Sequence, residues 1–185
     1  MSIAAVLAAD KQPPPFQPGP AAGLASHQTN DQVTMGVEAY ISGDKVKAAF
    51  GKLDPYQYGI LPVLVVIQND SGKSIKLDRI RVEYVTPSHD RIYATPAREV
   101  RYLRPARRPT VVPGPKPVIL KKKNPLDAWE IEGRAFAAQM LPSGQSASGF
   151  FYFDAGLQAG STIYITGLTE AQSGRDLLFF ELPLK

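Results

Sequence analysis

The sequence predicts a mainly β fold, an antiparallel β-sandwich with one or two short helices. Three observations lead there. Apolar residues recur with a period of two in several separate stretches, the pattern of half-buried strands. Glycine (15) and proline (17) are too frequent among 185 residues for a helical bundle, because proline is barred from helix interiors and from most central strand positions. The apolar share, 44%, is that of an ordinary soluble domain with a real core, and the length fits one such domain with tails.

Taken in order, the first nine residues, Met1-Ser-Ile-Ala-Ala-Val-Leu-Ala-Ala9, look like the last part of a signal peptide. Val6 and Ala8 stand at the small-residue positions ahead of Asp10-Lys11-Gln12, although a charged leading region is missing. Export to the periplasm or beyond is expected, with the cytoplasm as the alternative. Residues 10–32 contain Pro13-Pro14-Pro15 and Pro18-Gly19-Pro20, then mostly small and polar residues. Such a stretch has little to bury against the entropy of ordering it. Residues 1–32 are therefore read as a signal remnant and a disordered Pro-rich arm, with the β domain running from Val33 to the end.

Val33, Met35, Val37, Ala39 and Ile41 alternate as in a strand. Ser42-Gly43-Asp44 makes a turn, and Asp44 caps a helical turn over Lys45–Phe50 that stops at Gly51. Ile60–Ile67 is apolar on both parities, as a central strand should be, and Pro62 lies near its start. Asn69-Asp70-Ser71-Gly72 is a turn with Gly72 suited to positive φ. In Ser74–Val85, Ile75 and Leu77 share one parity and Ile80, Val82 and Tyr84 the other. That switch at Asp78-Arg79 predicts a bulge or a strand that changes sheet. Glu99–Leu103 reads as another short strand.

Residues 104–124 carry five prolines among basic residues and read as a long loop, since Val111-Val112 and Val118–Leu120 are short and interrupted. Asn124 and Pro125 fit the cap and first position of a short helix ended by Gly133. Arg134–Met140 alternates weakly and reads as strand. The last third is the strongest β signal. It comprises Gly149–Asp154 with four aromatics, Thr162–Thr166, a turn at Glu170–Gly174, and a final strand with Leu178, Phe180, Leu182 and Leu184 on one face. Seven or eight short strands at these intervals suggest a sandwich or a small barrel, and a sandwich of immunoglobulin-like type is preferred.

Ile60-Leu-Pro-Val-Leu-Val-Val-Ile-Gln-Asn-Asp70, continued by Ser71–Leu77, resembles the central strand pair of small exported bacterial immunoglobulin-like sandwich proteins without an assigned function. Leu141-Pro-Ser-Gly144 leading to Gly149-Phe-Phe-Tyr-Phe153 resembles the element that joins two of their late strands. The likeness covers roughly Ile60–Lys76 and Leu141–Leu184 and implies a fold, with no catalytic residues to carry over. Lipid-anchored members attach through a cysteine, and this chain has none.

With no cysteine, disulfides, zinc–thiolate sites, iron–sulfur clusters and thiol catalysis are excluded. Gly144-Gln-Ser146-Ala-Ser148 approaches a nucleophile elbow but puts serine where the second glycine belongs. His89 adjoins Asp90 in a turn, and His27 lies in the arm. Asp127, Glu130 and Glu132 surround Trp129, read as a core tryptophan. Paired carboxylates there would suit hydrolysis of an envelope polymer, the rival to a non-catalytic module. No catalytic, metal or cofactor site is expected.

The basic residues invite a partner. Arg98–Lys123 holds five arginines and four lysines against one glutamate, a net +8, which leaves the rest of this +4 chain at −4. Arg101, Arg104, Arg107, Arg108, Lys121, Lys122 and Lys123 are the candidate contacts for anionic lipid or polymer. Nucleic acid fits less well, because only Tyr102 lies among them as a stacking platform. No stretch is long and apolar enough to span a bilayer. The expected role is an envelope structural or protein-interaction module.

Overall fold

The structure, a computed structural model, describes residues 16–41, 43–104, 110–112, 118–120 and 124–185. Among them the strands are β1 (Ser26–Asn30), β2 (Val33–Ala39), β3 (Leu61–Asn69), β4 (Ile75–Lys76), β5 (Arg81–Val85), β6 (Arg91–Tyr93), β7 (Thr110–Val112), β8 (Val118–Leu120), β9 (Met140–Leu141), β10 (Gln145–Phe153), β11 (Thr162–Thr166), β12 (Thr169–Glu170) and β13 (Phe180–Pro183). Two α-helices, α1 (Gly43–Phe50) and α2 (Trp129–Gly133), and three short 3-10 helices accompany them. The chain is mainly β, and every ladder between these strands is antiparallel.

Two four-stranded sheets dominate, β1-β2-β3-β10 and β13-β11-β5-β6. Their facing residues form one core. Val33, Met35, Val37, Val63, Val65 and Ile67 from the first sheet join Val82, Tyr84, Ile163, Ile165, Phe180 and Leu182 from the second. The opposite face of the first sheet is covered as well. There Leu64, Val66, Phe150 and Tyr152 pack with Val46, Ala49 and Phe50 of α1, Ile131 of α2 and Val100 of the 3-10 helix Ala97–Tyr102. This double cover is why β3 is apolar on both parities, and why it lies between β2 and β10. Burial drives the Tyr152 phenol far above its usual pKa, and its hydroxyl donates to the Ile131 carbonyl at 2.8 Å.

The parity switch at Asp78-Arg79 has the expected cause. β4 belongs to a small sheet, β12-β4-β9, whereas β5 belongs to the second large one. The turn after β3 is fixed by Asn69, which is fully buried. Its Nδ2 donates to the carbonyls of Lys73 (2.8 Å) and Leu141 (2.9 Å), while its Oδ1 accepts from the Ser71 hydroxyl (2.7 Å). Gly72 takes φ of +75°.

Several expectations are corrected. The arm does not reach Val33: Phe16 and Ala21 pack against Tyr40 and Phe150, and Ser26–Asn30 is a strand paired with β2. The signal-like residues 1–9 and residues 10–15 lie outside the described residues. Glu99–Leu103 is not a strand but belongs to the 3-10 helix Ala97–Tyr102, entered after Pro96. Within the expected loop at 104–124, Thr110–Val112 and Val118–Leu120 pair as a two-stranded sheet. Asn124 closes a turn, accepting from Leu126 N–H at 3.0 Å, and α2 starts only at Trp129. Of Arg134–Met140, only Met140 enters a strand. Leu178 is exposed, whereas Phe180, Leu182 and Leu184 are buried as expected.

An ion cluster closes the small sheet. Glu170, nearly buried, accepts from the Ser173 hydroxyl (2.6 Å), the Arg175 guanidinium (2.7 Å) and the Lys73 ammonium (3.0 Å). The Ser173 hydrogen bond, then Arg175 and Lys73, pull its carboxyl down to about 2. A carboxylate with a lowered folded pKa stabilises the native state above its unfolded pKa, and that contribution fades as pH falls towards the folded value. Glu170→Gln is therefore expected to be less stable than wild type at neutral pH, with the gap narrowing between about pH 4.5 and 2. Denaturant titrations at a series of pH values check this; a gap independent of pH contradicts it.

Candidate functional site

Among the described residues, a largely apolar cleft of about 310 Å³ lies where an edge of each large sheet meets the other. Its floor is the outer edge of β10 at Phe150, Phe151 and Tyr152. One wall is Ala94–Ala97, which leaves β6 and crosses over: Ala94 N–H donates to Val82 (3.2 Å) in one sheet and Thr95 N–H to Tyr152 (2.7 Å) in the other. The second wall is Ala135-Phe136, which touches β10 at one point. Phe136 N–H donates to the Phe150 carbonyl (3.1 Å), and Phe150 N–H donates to Arg134 (2.9 Å).

Such a crossing needs a residue without a side chain beneath it. Gly149 supplies it, since a Cβ there would come within 2.3 Å of the Phe136 Cα. The Phe136 ring stacks on Phe151 with centroids 5.3 Å apart. Ile80 and Val82 close the interior, and Arg81 and Tyr93 also line the cleft. It is a largely apolar recess with one arginine and two tyrosines in its lining, the make-up of a site for an apolar group.

The residues singled out from the sequence go elsewhere. Arg101 is not a free surface cation. It pairs with Asp127 (2.6 Å) and with Glu132, and its carbonyl accepts from Asn124 Nδ2 at 2.7 Å, so it ties the 3-10 helix to α2. Arg104 is committed as well, to Asp154 (2.6 Å) and to the carbonyls of Tyr58 (2.8 Å) and Gly59 (3.1 Å). Arg107, Arg108, Lys121, Lys122 and Lys123 lie outside the described residues. No protein-family model and no curated protein matches the chain. A solved structure, that of Northeast Structural Genomics Consortium target SoR45, is similar at a TM-score of 0.36 and 11% identity, over 83% of this chain and 88% of that one.

Two of the three carboxylates near Trp129 are also employed. Asp127 and Glu132 both serve Arg101. Trp129 itself is exposed, not a core residue, and the Arg134 guanidinium lies 5.6 Å from its ring centroid; the buried residue of α2 is Ile131. Ser146 and Ser148 sit within the extended strand β10, paired with β3, and not on a strand-to-helix elbow. His89 has φ of +68° in a turn, and its neighbour Asp90 accepts from Ser88 at 2.7 Å. His27 is in β1, its Nδ1 2.9 Å from the Leu24 carbonyl. Among the described residues, no group of three His, Asp or Glu is placed to hold a metal, and no helix is long and apolar enough to cross a membrane.

Sequence reading missed the cleft because four separated segments build it. The one local sign was Gly149 inside an otherwise aromatic strand, since a glycine there marks close backbone approach.

Proposed function

We propose that the chain is an exported, non-catalytic immunoglobulin-like sandwich that serves as a protein-interaction module of the bacterial cell envelope. The observation that carries this reading is the cleft beside β10. It offers apolar walls and ordered main chain but lacks paired carboxylates or a nucleophile with its base. A partner's apolar side chain fits such a recess, and a largely pre-formed pocket spares much of the ordering cost of binding. The envelope placement rests on the signal-like stretch Met1–Ala9. The rival hydrolase loses support because Asp127 and Glu132 are occupied by Arg101.

The chain has no cysteine, so Ala97→Cys creates a unique thiol at the cleft and Lys185→Cys a control far along the chain. Each is labelled with a photo-crosslinker and mixed with envelope proteins of the native host. A discrete adduct is expected from position 97 alone, and it should disappear when Ala135→Phe fills the cleft. Equal adducts from both positions, or none from position 97, overturn the proposal.

A further inference from the structure

The outer face of β6-β5-β11-β13 carries a second site, which shares Tyr93 and Arg81 with the lining of the cleft. Strand register arranges its outward residues in rows. One row reads Tyr93, Glu83, Tyr164, Glu181; the next reads Arg91, Val85, Thr162, Pro183. On the other side Arg81 pairs with Thr166, and Phe179 packs on Tyr164 with ring centroids 5.3 Å apart. Arg91 reaches across its row. Its guanidinium bonds Glu83 at 2.8 Å and lies over the Tyr164 ring, 4.9 Å from the centroid. The result is a strip of planar groups on a flat sheet: Tyr93, the Arg91 guanidinium over Tyr164, and Phe179. Tyr93 is 66% exposed and Phe179 49%.

We propose that this strip binds a neutral polysaccharide whose β-linked sugar rings present flat apolar faces. Three features select that ligand. Arg81 and Arg91 balance Glu83 and Glu181, so the face has no net charge with which to hold nucleic acid or acidic lipid. Carboxylates alternate with the tyrosines in the first row, and Arg91 and Arg81 lie in the rows on either side, so the face lacks the apolar centre, poor in charge, of a protein interface. A pyranose ring matches the alternation, because its faces are apolar and its rim is hydroxyl. Aromatic groups take the faces, and the Glu181 carboxylate and the arginine guanidinium groups bond the rim, while the buried Glu83 holds Arg91 in place. Tyr93 and Tyr164 stand on strands two apart, about 10 Å by ordinary strand spacing, close to the length of one disaccharide in such a chain.

The test is co-sedimentation of the full chain with insoluble chitin and cellulose, with α-linked starch as control, at low and high salt. Retention is expected on chitin or cellulose, not on starch, and to persist in salt. Tyr93→Ala and Phe179→Ala are each expected to reduce it on the order of tenfold, as loss of one stacking contact would. Trp129→Ala removes an equally exposed aromatic from another surface and should leave retention unchanged. Circular dichroism confirms that each variant is folded. The proposal is overturned if wild type is not retained on either β-linked polymer, if starch competes equally, if salt releases it, or if Trp129→Ala matches Tyr93→Ala. Phe179 and Glu181 do not line the cleft, so Phe179→Ala tests this face apart from the cleft crosslinks, and the two readings fail separately.

Discussion

Val65→Asp is expected to abolish cooperative folding at neutral pH. Val65 is fully buried, in the middle of the central strand, with Val37 opposite on one side and Gly149 on the other. Its side chain lies in the core shared by both large sheets, where a carboxylate finds neither water nor a cation. The loss combines the valine's burial, about 2 kcal/mol, with the desolvation of a charge. A total of about 5 kcal/mol or more is expected, comparable with the whole stability of a domain this size. The sign with pH is fixed too. A buried carboxyl has a raised pKa, so the variant should regain some structure as acid neutralises it. Denaturant titration followed by circular dichroism is the measurement; a wild-type-like midpoint contradicts the burial of this face.

Gly149→Ala is expected to cost about 3 kcal/mol, large for a single added methyl. The added Cβ would meet main chain: the Phe136 Cα at 2.3 Å, the Phe136 nitrogen at 2.5 Å and the Ala135 carbonyl carbon at 2.9 Å. No rotamer change relieves such a contact. The Ala135-Phe136 crossing has to lift, taking with it both hydrogen bonds to Phe150 and the Phe136–Phe151 stack. Because the same crossing walls the cleft, crosslinking from Ala97→Cys should fall even in preparations that remain folded. Equilibrium unfolding of Gly149→Ala beside Ala147→Gly, two positions earlier in β10, separates steric collision from strand propensity. Equal and small losses in both would remove the steric account.

The sequence disclosed elements whose burial is periodic. Val33–Ala39 and Thr162–Thr166 stand where alternation puts them, Leu61–Asn69 stands where an apolar run on both parities puts a central strand, and the parity switch at Asp78-Arg79 marks a true change of sheet. It concealed elements held by pairing more than by burial. β1 is Ser-His-Gln-Thr-Asn, without an apolar period, and exists because β2 accepts it across Asp31-Gln32. Both of those residues have positive φ (49° and 60°), as a tight two-residue hairpin turn demands; Asn30-Asp31 was the available clue. Val100 and Tyr102 imitate strand alternation, yet Pro96 opens a 3-10 helix in which Val100 is buried and Tyr102 exposed. The pairing of Arg101 and Arg104 was hidden for a different reason. Composition counts charges without showing their partners, and Arg101 and Arg104 are paired with carboxylates distant in sequence. The strip on the second sheet needed the register of four strands before its rows could be seen.

The seam between β1 and β13 bears on the order of folding. Asn30 Nδ2 donates to the Phe179 carbonyl at 2.8 Å, and Glu181 N–H donates to the Gln28 side chain at 3.0 Å. These contacts join residues about 150 positions apart, against 76 to 92 across the β3–β10 ladder. Loop-closure entropy grows only logarithmically, by about 0.6 kcal/mol per doubling, but the seam offers two exposed hydrogen bonds of roughly 1 kcal/mol each to offset it. The ladders between the sheets' own strands must therefore form first, and the seam closes last. On the reverse path it is the first part to part, so the amide of Glu181 should exchange with solvent through local opening well before the amides of β3 do.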